Sequence, residues 1–117
     1  MIIKRNKENG QLMFTSDKLT IIRDIMDYAR KWSSFKIGKS GVTAEERFSE
    51  PDYNGIYNDV MVVYESPSAD NVSKMEASLI DFFKDNEKCE NIKDGDGSVD
   101  DNMTTSSEYI VYVVYKQ

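Results

Sequence analysis

Tyr109-Ile110-Val111-Tyr112-Val113-Val114-Tyr115-Lys116, close to the C-terminus, is the stretch that decides the fold class. Its first seven residues are all apolar or aromatic and four of them are β-branched, which favours an extended chain. Neither parity of the run is polar. A strand built from it has no face for water, so it belongs in the middle of a sheet. Upstream, Asn58-Asp59-Val60-Met61-Val62-Val63-Tyr64-Glu65 reads as a second buried strand. Ser34-Phe35-Lys36-Ile37-Gly38 reads as a third, stopped by Gly38 and Gly41.

Helices fill the intervals. Leu19, Ile22, Ile25, Met26, Ala29 and Trp32 recur at helical spacing after a cap at Thr15 or Ser16, with Arg23, Asp24, Asp27, Arg30 and Lys31 mainly opposite. This stripe is expected to be core. Thr43-Ala44-Glu45-Glu46 has capping-box spacing and predicts a short helix through Phe48, ended before Pro51. Pro67-Ser68 breaks the second strand, and Ser68 or Asp70 caps a helix running to about Lys84. Met1–Lys4 and Gln11–Thr15 flank Asn6-Lys7-Glu8-Asn9-Gly10 and predict a hairpin. The expectation is an α+β fold: a small, mainly antiparallel sheet flanked by helices, with an N-terminal hairpin and helix. One domain accommodates all 117 residues: hairpin and helix over 1–33, core over 34–85, an acidic loop over 86–107 and the closing strand over 108–117.

Composition narrows the chemistry. There is no histidine, so no imidazole base, His-based triad or His metal ligand is available. Cys89 stands alone, which excludes an internal disulfide and a Cys-rich metal site. No apolar run approaches the roughly 18 residues that cross a membrane, and the charged N-terminal stretch does not read as a secretory signal, so a cytoplasmic protein without membrane contact is expected. Carboxylates, Lys, Arg, Tyr and Ser remain. The net charge of −6 is uneven: residues 1–50 carry +3 and residues 51–117 carry −9, of which −4 lies in 86–101. A mildly basic first half sits before a strongly acidic second half.

One carboxylate is out of place. Around the helix from Asp70 to Lys84, at about 100° per residue, Met75, Phe82, Leu79, Val72, Phe83 and Ile80 form an apolar arc, and Glu76 falls inside it between Phe83 and Ile80. A carboxylate against a core is costly unless a positive group meets it. Four roles stay open: a salt bridge to Lys or Arg, a position at the edge of the arc that reaches water, a metal ligand, or a general acid or base.

Together these segments resemble a known family. Phe35-Lys36-Ile37-Gly38-Lys39-Ser40-Gly41 is similar to the Tyr-Lys-Ile-Gly-Lys-Thr variant of the second motif of GIY-YIG nuclease-like domains. Phe35 replaces the motif tyrosine, Gly38 matches its glycine and Ser40 its hydroxyl residue. Glu46-Arg47-Phe48 stands where the family has a helix with a catalytic arginine. Val60–Tyr64 matches the next strand. Met75-Glu76, Leu79-Ile80 and Phe83 match the helix whose glutamate holds the single divalent metal. The resemblance spans Phe35–Lys84. The family's opening Gly-Ile-Tyr strand is missing before it, and Val111–Lys116 is similar to that strand, with Tyr112 at the place of its tyrosine. A circularly permuted arrangement follows, in which the last strand neighbours Ser34–Gly38.

The resemblance implies two functions, and both stay open at this point. One is a divergent, non-catalytic module that binds or inhibits a protein or a nucleotide or nucleic-acid partner, its acidic half imitating nucleic acid as in small acidic proteins of mobile elements. The other is a metal-dependent endonuclease with Tyr112 handling the attacking water, Arg47 stabilising the phosphorane-like charge and Glu76 holding Mg²⁺ or Mn²⁺. Phe35, Lys36, Gly38, Lys39 and Ser40 would then line the substrate site.

The remaining motifs are weaker. Asp94-Gly95-Asp96-Gly97-Ser98-Val99-Asp100 has a calcium loop's alternating acids but Val99 at its sixth position and Thr105 at its twelfth. Gly38-Lys39-Ser40-Gly41 lacks the spacing of a P-loop. Cys89 among carboxylates is not expected to be a nucleophile. Tyr28, Trp32 and Phe35 beside Arg30, Lys31 and Lys36 have the makings of a stacking surface, but are expected to be core and rim.

Overall fold

A computed structural model describes residues 3–5, 7–8, 11–12, 18–41, 49, 53, 55–91 and 109–117. The predicted helix at Thr43–Phe48 with its Arg47, the caps Thr15 and Ser16, and the loop beyond Asn91 with its calcium-like motif lie outside these residues.

The order of elements is β1 (Ile3–Arg5), β2 (Lys7–Glu8), β3 (Gln11–Leu12), α1 (Lys18–Ala29), β4 (Ser34–Ser40), β5 (Asp59–Ser66), α2 (Ala69–Phe83) and β6 (Tyr109–Lys116). The fold is α+β. The main sheet runs β1-β5-β6-β4, antiparallel at β5-β6 and β6-β4 and parallel at β1-β5. β6 is central and has the predicted bounds, because a strand apolar on both faces buries both only with a neighbour on each side and a layer above and below. Its Tyr109, Val111, Val113 and Tyr115 join the first core cluster with Ile21, Ile22 and Ile25 of α1 and Val72, Leu79, Ile80 and Phe83 of α2. Ile110, Tyr112 and Val114 face the other way, into a smaller cluster with Tyr53, Val60 and Val62. Both helices thus cover one face. A register shift between Val62 and Tyr64 marks a bulge, and both Val63 and Tyr64 turn towards the helix side.

α2 starts where the sequence places a cap: the Ser68 hydroxyl accepts from the Asn71 amide at 3.1 Å. β4 runs two residues further than Gly38, to Ser40, since β6 offers partners as far as Ile110.

Three expectations are corrected. Among the described residues, Ile3–Arg5 does not pair with Gln11–Leu12. Ile3–Arg5 instead lies parallel to β5, opposite Val60–Val62, where it satisfies a sheet edge that would otherwise be bare, and the hairpin is the shorter Lys7–Glu8 with Gln11–Leu12. The α1 stripe is only partly core: Ile21, Ile22, Ile25 and Ala29 are buried, but Leu19 and Met26 are 70% and 51% exposed. The sheet covers an arc narrower than the apolar arc of the helix. Phe82 of α2 is likewise exposed, although its angle put it beside Met75.

Residues 86–91 are not a loose loop. The Phe35 amide donates to Lys88 O, and the Glu90 amide to Phe35 O, each at 2.9 and 2.8 Å respectively. The Asn91 side chain then imitates one more residue of strand: its Oδ1 accepts from the Ile37 amide and its Nδ2 donates to Ile37 O, both at 2.9 Å. The outer edge of β4 is thereby closed. Asn91→Leu removes both bonds and leaves two backbone groups of a core-bearing strand without them. We expect a loss of about 2 kcal/mol, with amide exchange at Ile37 accelerating more than at Val62. Unchanged protection of Ile37 contradicts the closure.

Candidate functional site

The alternation of β4 sorts the predicted site residues onto two faces. Phe35, Ile37 and Lys39 share the helix side. Lys36, Gly38 and Ser40 share the other.

On the helix side, Lys39 extends under α2. Its Nζ donates to Ser73 Oγ at 3.2 Å and lies 3.9 Å from Glu76 Oε1. Ser73 and Glu76 stand three residues apart on one helix face, so a single ammonium reaches both. The Lys39 and Glu76 side chains are only 8% and 13% exposed, and Ser73 is fully buried. The carboxylate that periodicity singled out is therefore inside the apolar arc, as read, and an ammonium partly offsets its desolvation.

On the opposite side, Tyr112 is buried, and its hydroxyl is 2.7 Å from that of Tyr53. The two rings meet edge to face, 5.8 Å between centroids. Gly38 lies directly across from Tyr112 in the β4-β6 register. A Cβ on Gly38 would come within 2.5 Å of Tyr112 Cζ and Oη, so the tyrosine ring occupies the space a side chain would need. Glycine is required here by a close approach rather than by backbone angles.

The sheet thus lies between the residues that the nuclease reading would join. Glu76 and Lys39 are on one face, while Tyr112, Gly38, Lys36 and Ser40 are on the other. Phe35 is wholly buried, edge to face with Phe83 at 5.6 Å, and presents nothing to a substrate. Arg47 lies outside the described residues. A divalent ion at Glu76 does not fit this surrounding. Hard cations collect several oxygens, whereas the groups brought to Glu76 here include an ammonium, and no group of three His, Cys, Asp or Glu side chains placed to hold an ion occurs among the described residues.

Tyr28, Trp32 and Phe35 are core and rim, as expected. Trp32 stacks on Tyr115 at 4.3 Å, and Tyr28 continues that stack outwards at 6.4 Å. Burial, and then Asp59, push the Tyr115 phenol up to about 12. Burial and the neighbouring Glu90 raise Tyr57 as well. Burial raises the Cys89 thiol, with Glu90 adding and a hydrogen bond involving Asn91 opposing, which agrees with an unreactive cysteine. Among the described residues no helix is long and apolar enough to cross a membrane.

Sequence reading missed Ser73, Tyr53 and Asn91. Ser73 carried a usable signal, a hydroxyl one turn before Glu76. Tyr53 and Asn91 lie outside any periodic segment and carried none. No known protein family, curated protein or solved structure matches this chain.

Proposed function

We propose that the chain is a divergent GIY-YIG-like module that binds a protein partner and does not cut phosphodiesters. The family likeness draws support from the sheet: β6 runs antiparallel beside β4, as a permuted opening strand would, with Tyr112 opposite Gly38. One observation carries the non-catalytic reading. Tyr112 and Glu76, which must approach the same phosphodiester in the enzyme reading, are divided by the sheet; Tyr112 is 1% exposed and Glu76 sits beside Lys39. Water-mediated attack needs its base and its charge-stabilising groups within hydrogen-bond reach of one reacting centre. Charge favours a protein over a nucleic-acid backbone as partner, because residues 51–117 carry −9.

The test is cleavage of end-labelled single- and double-stranded DNA and RNA with Mg²⁺ or Mn²⁺. Wild type and Glu76→Ala are expected to leave all four substrates intact. Cleavage by wild type that Glu76→Ala abolishes would establish the endonuclease reading in its place.

A further inference from the structure

The two α1 residues that escape the core mark a surface. Leu19, Ile22, Met26 and Ala29 are spaced three, four and three apart, the a and d positions of a heptad; Ile22 and Ala29 share the core cluster with Ile21 and Ile25, while Leu19 and Met26 turn away from it. Leu19 and Met26 stand 70% and 51% exposed, and the buried Ile22 and Ala29 form the floor between them. A groove of about 600 Å³ opens along this seam, with the turn at Asn86–Lys88 as its other wall. That wall is fixed in place. Lys88 Nζ donates to Ala29 O at 2.8 Å, the Lys88 amide to Asn86 Oδ1 at 2.9 Å, and the Asn86 amide to Phe83 O at 2.8 Å. A preformed apolar groove of this kind costs little to order on binding.

Its charges select an occupant. Arg23 and Arg30 both fall at the e position beside the seam and line the groove with Lys88, against Asp27 at the b position and Glu87 on the other wall, which leaves the lining net positive by one charge. Arg23 makes no ion pair among the described residues. Arg30 meets Asp27 at 3.8 Å with both side chains more than half exposed, a contact of little strength. A second copy of this chain is a poor match. Antiparallel pairing sets Arg23 and Arg30 against their equivalents. Parallel pairing sets Arg23 against Lys18, a like charge, and Arg30 against Ile25, which is buried at the g position. We infer that α1 receives an amphipathic helix of a different protein, with apolar residues at a and d and carboxylates beside them. This rests on the binding-module reading and specifies its partner.

Two labelled three-heptad peptides serve as probes, both with Ile at a and Leu at d, one with Glu and one with Lys at e and g. Fluorescence anisotropy with the full chain should show the Glu peptide bound about tenfold more tightly, equivalent to about 1.4 kcal/mol. Leu19→Ser and Met26→Ser should each weaken it several-fold. Both positions are exposed, so folding should survive, and circular dichroism checks that. Arg23→Glu/Arg30→Glu should reverse the preference between peptides. Equal binding of the two peptides, seam variants that bind like wild type, displacement by short single-stranded DNA, or a homodimer that Met26→Ser dissolves would each overturn the inference. A failure here with the substrates of the cleavage test still intact removes the partner helix alone; cleavage removes the module reading itself.

Discussion

Gly38→Ala is expected to destabilise the fold by about 2–3 kcal/mol, and Gly38→Val by more. Alanine ordinarily improves on glycine inside a strand, so the sign of this effect belongs to the site. The new methyl would stand 2.5 Å from the Tyr112 hydroxyl and Cζ and 2.9 Å from its Cε2. The ring has nowhere to go: it is fully buried, its hydroxyl is 2.7 Å from Tyr53, and its strand is held on both sides. Relief would require breaking the tyrosine pair or spreading β4 from β6. Urea unfolding of a double-mutant cycle separates this clash from backbone effects. In a Tyr112→Val background the same Gly38→Ala change should become neutral, or stabilise by about 0.5–1 kcal/mol. An equal loss in both backgrounds would mean that the glycine is needed for something other than Tyr112.

What the sequence made legible follows from how local each signal is. β6 was legible to the residue because hydrophobicity on both parities has one structural meaning. Glu76 was legible because a helix of known phase puts it at an angle where only apolar residues belong. The face of Tyr112 was not legible. Strand parity separates Tyr112 from Val111 and Val113, but only the packing of α2 on the Val111 side tells which parity shares a layer with Glu76. The same limit applied to α1. Periodicity located Leu19 and Met26 on the apolar arc, yet the width of the arc that the sheet covers depends on elements far away in sequence. Asn91 was hidden for a different reason, since a side-chain amide that stands in for strand backbone leaves no periodic trace.

The pair Lys39–Glu76 offers the second large effect, and it tests what occupies the helix side of the sheet. Lys39→Met should cost about 3 kcal/mol. It deprives a carboxylate that is 13% exposed of the ammonium 3.9 Å away, and removes the donor to the buried Ser73 hydroxyl. Glu76→Leu alone should cost less, because it leaves the cation of a flexible side chain that still reaches Ser73 Oγ. The double variant Lys39→Met/Glu76→Leu puts apolar groups of similar volume where the pair was, and should recover most of the Lys39→Met loss. The recovery distinguishes a buried ion pair from two independent packing roles, for which the losses would add. Salt provides the second axis. A pair this enclosed is weakly screened, so its coupling should persist at 1 M sodium chloride, where the Debye length is about 3 Å. Coupling below about 1 kcal/mol that salt abolishes is the behaviour of an exposed pair. That result would reopen the helix face around Glu76 as accessible to solvent and cations, and with it the chemistry that the enclosed arrangement argues against.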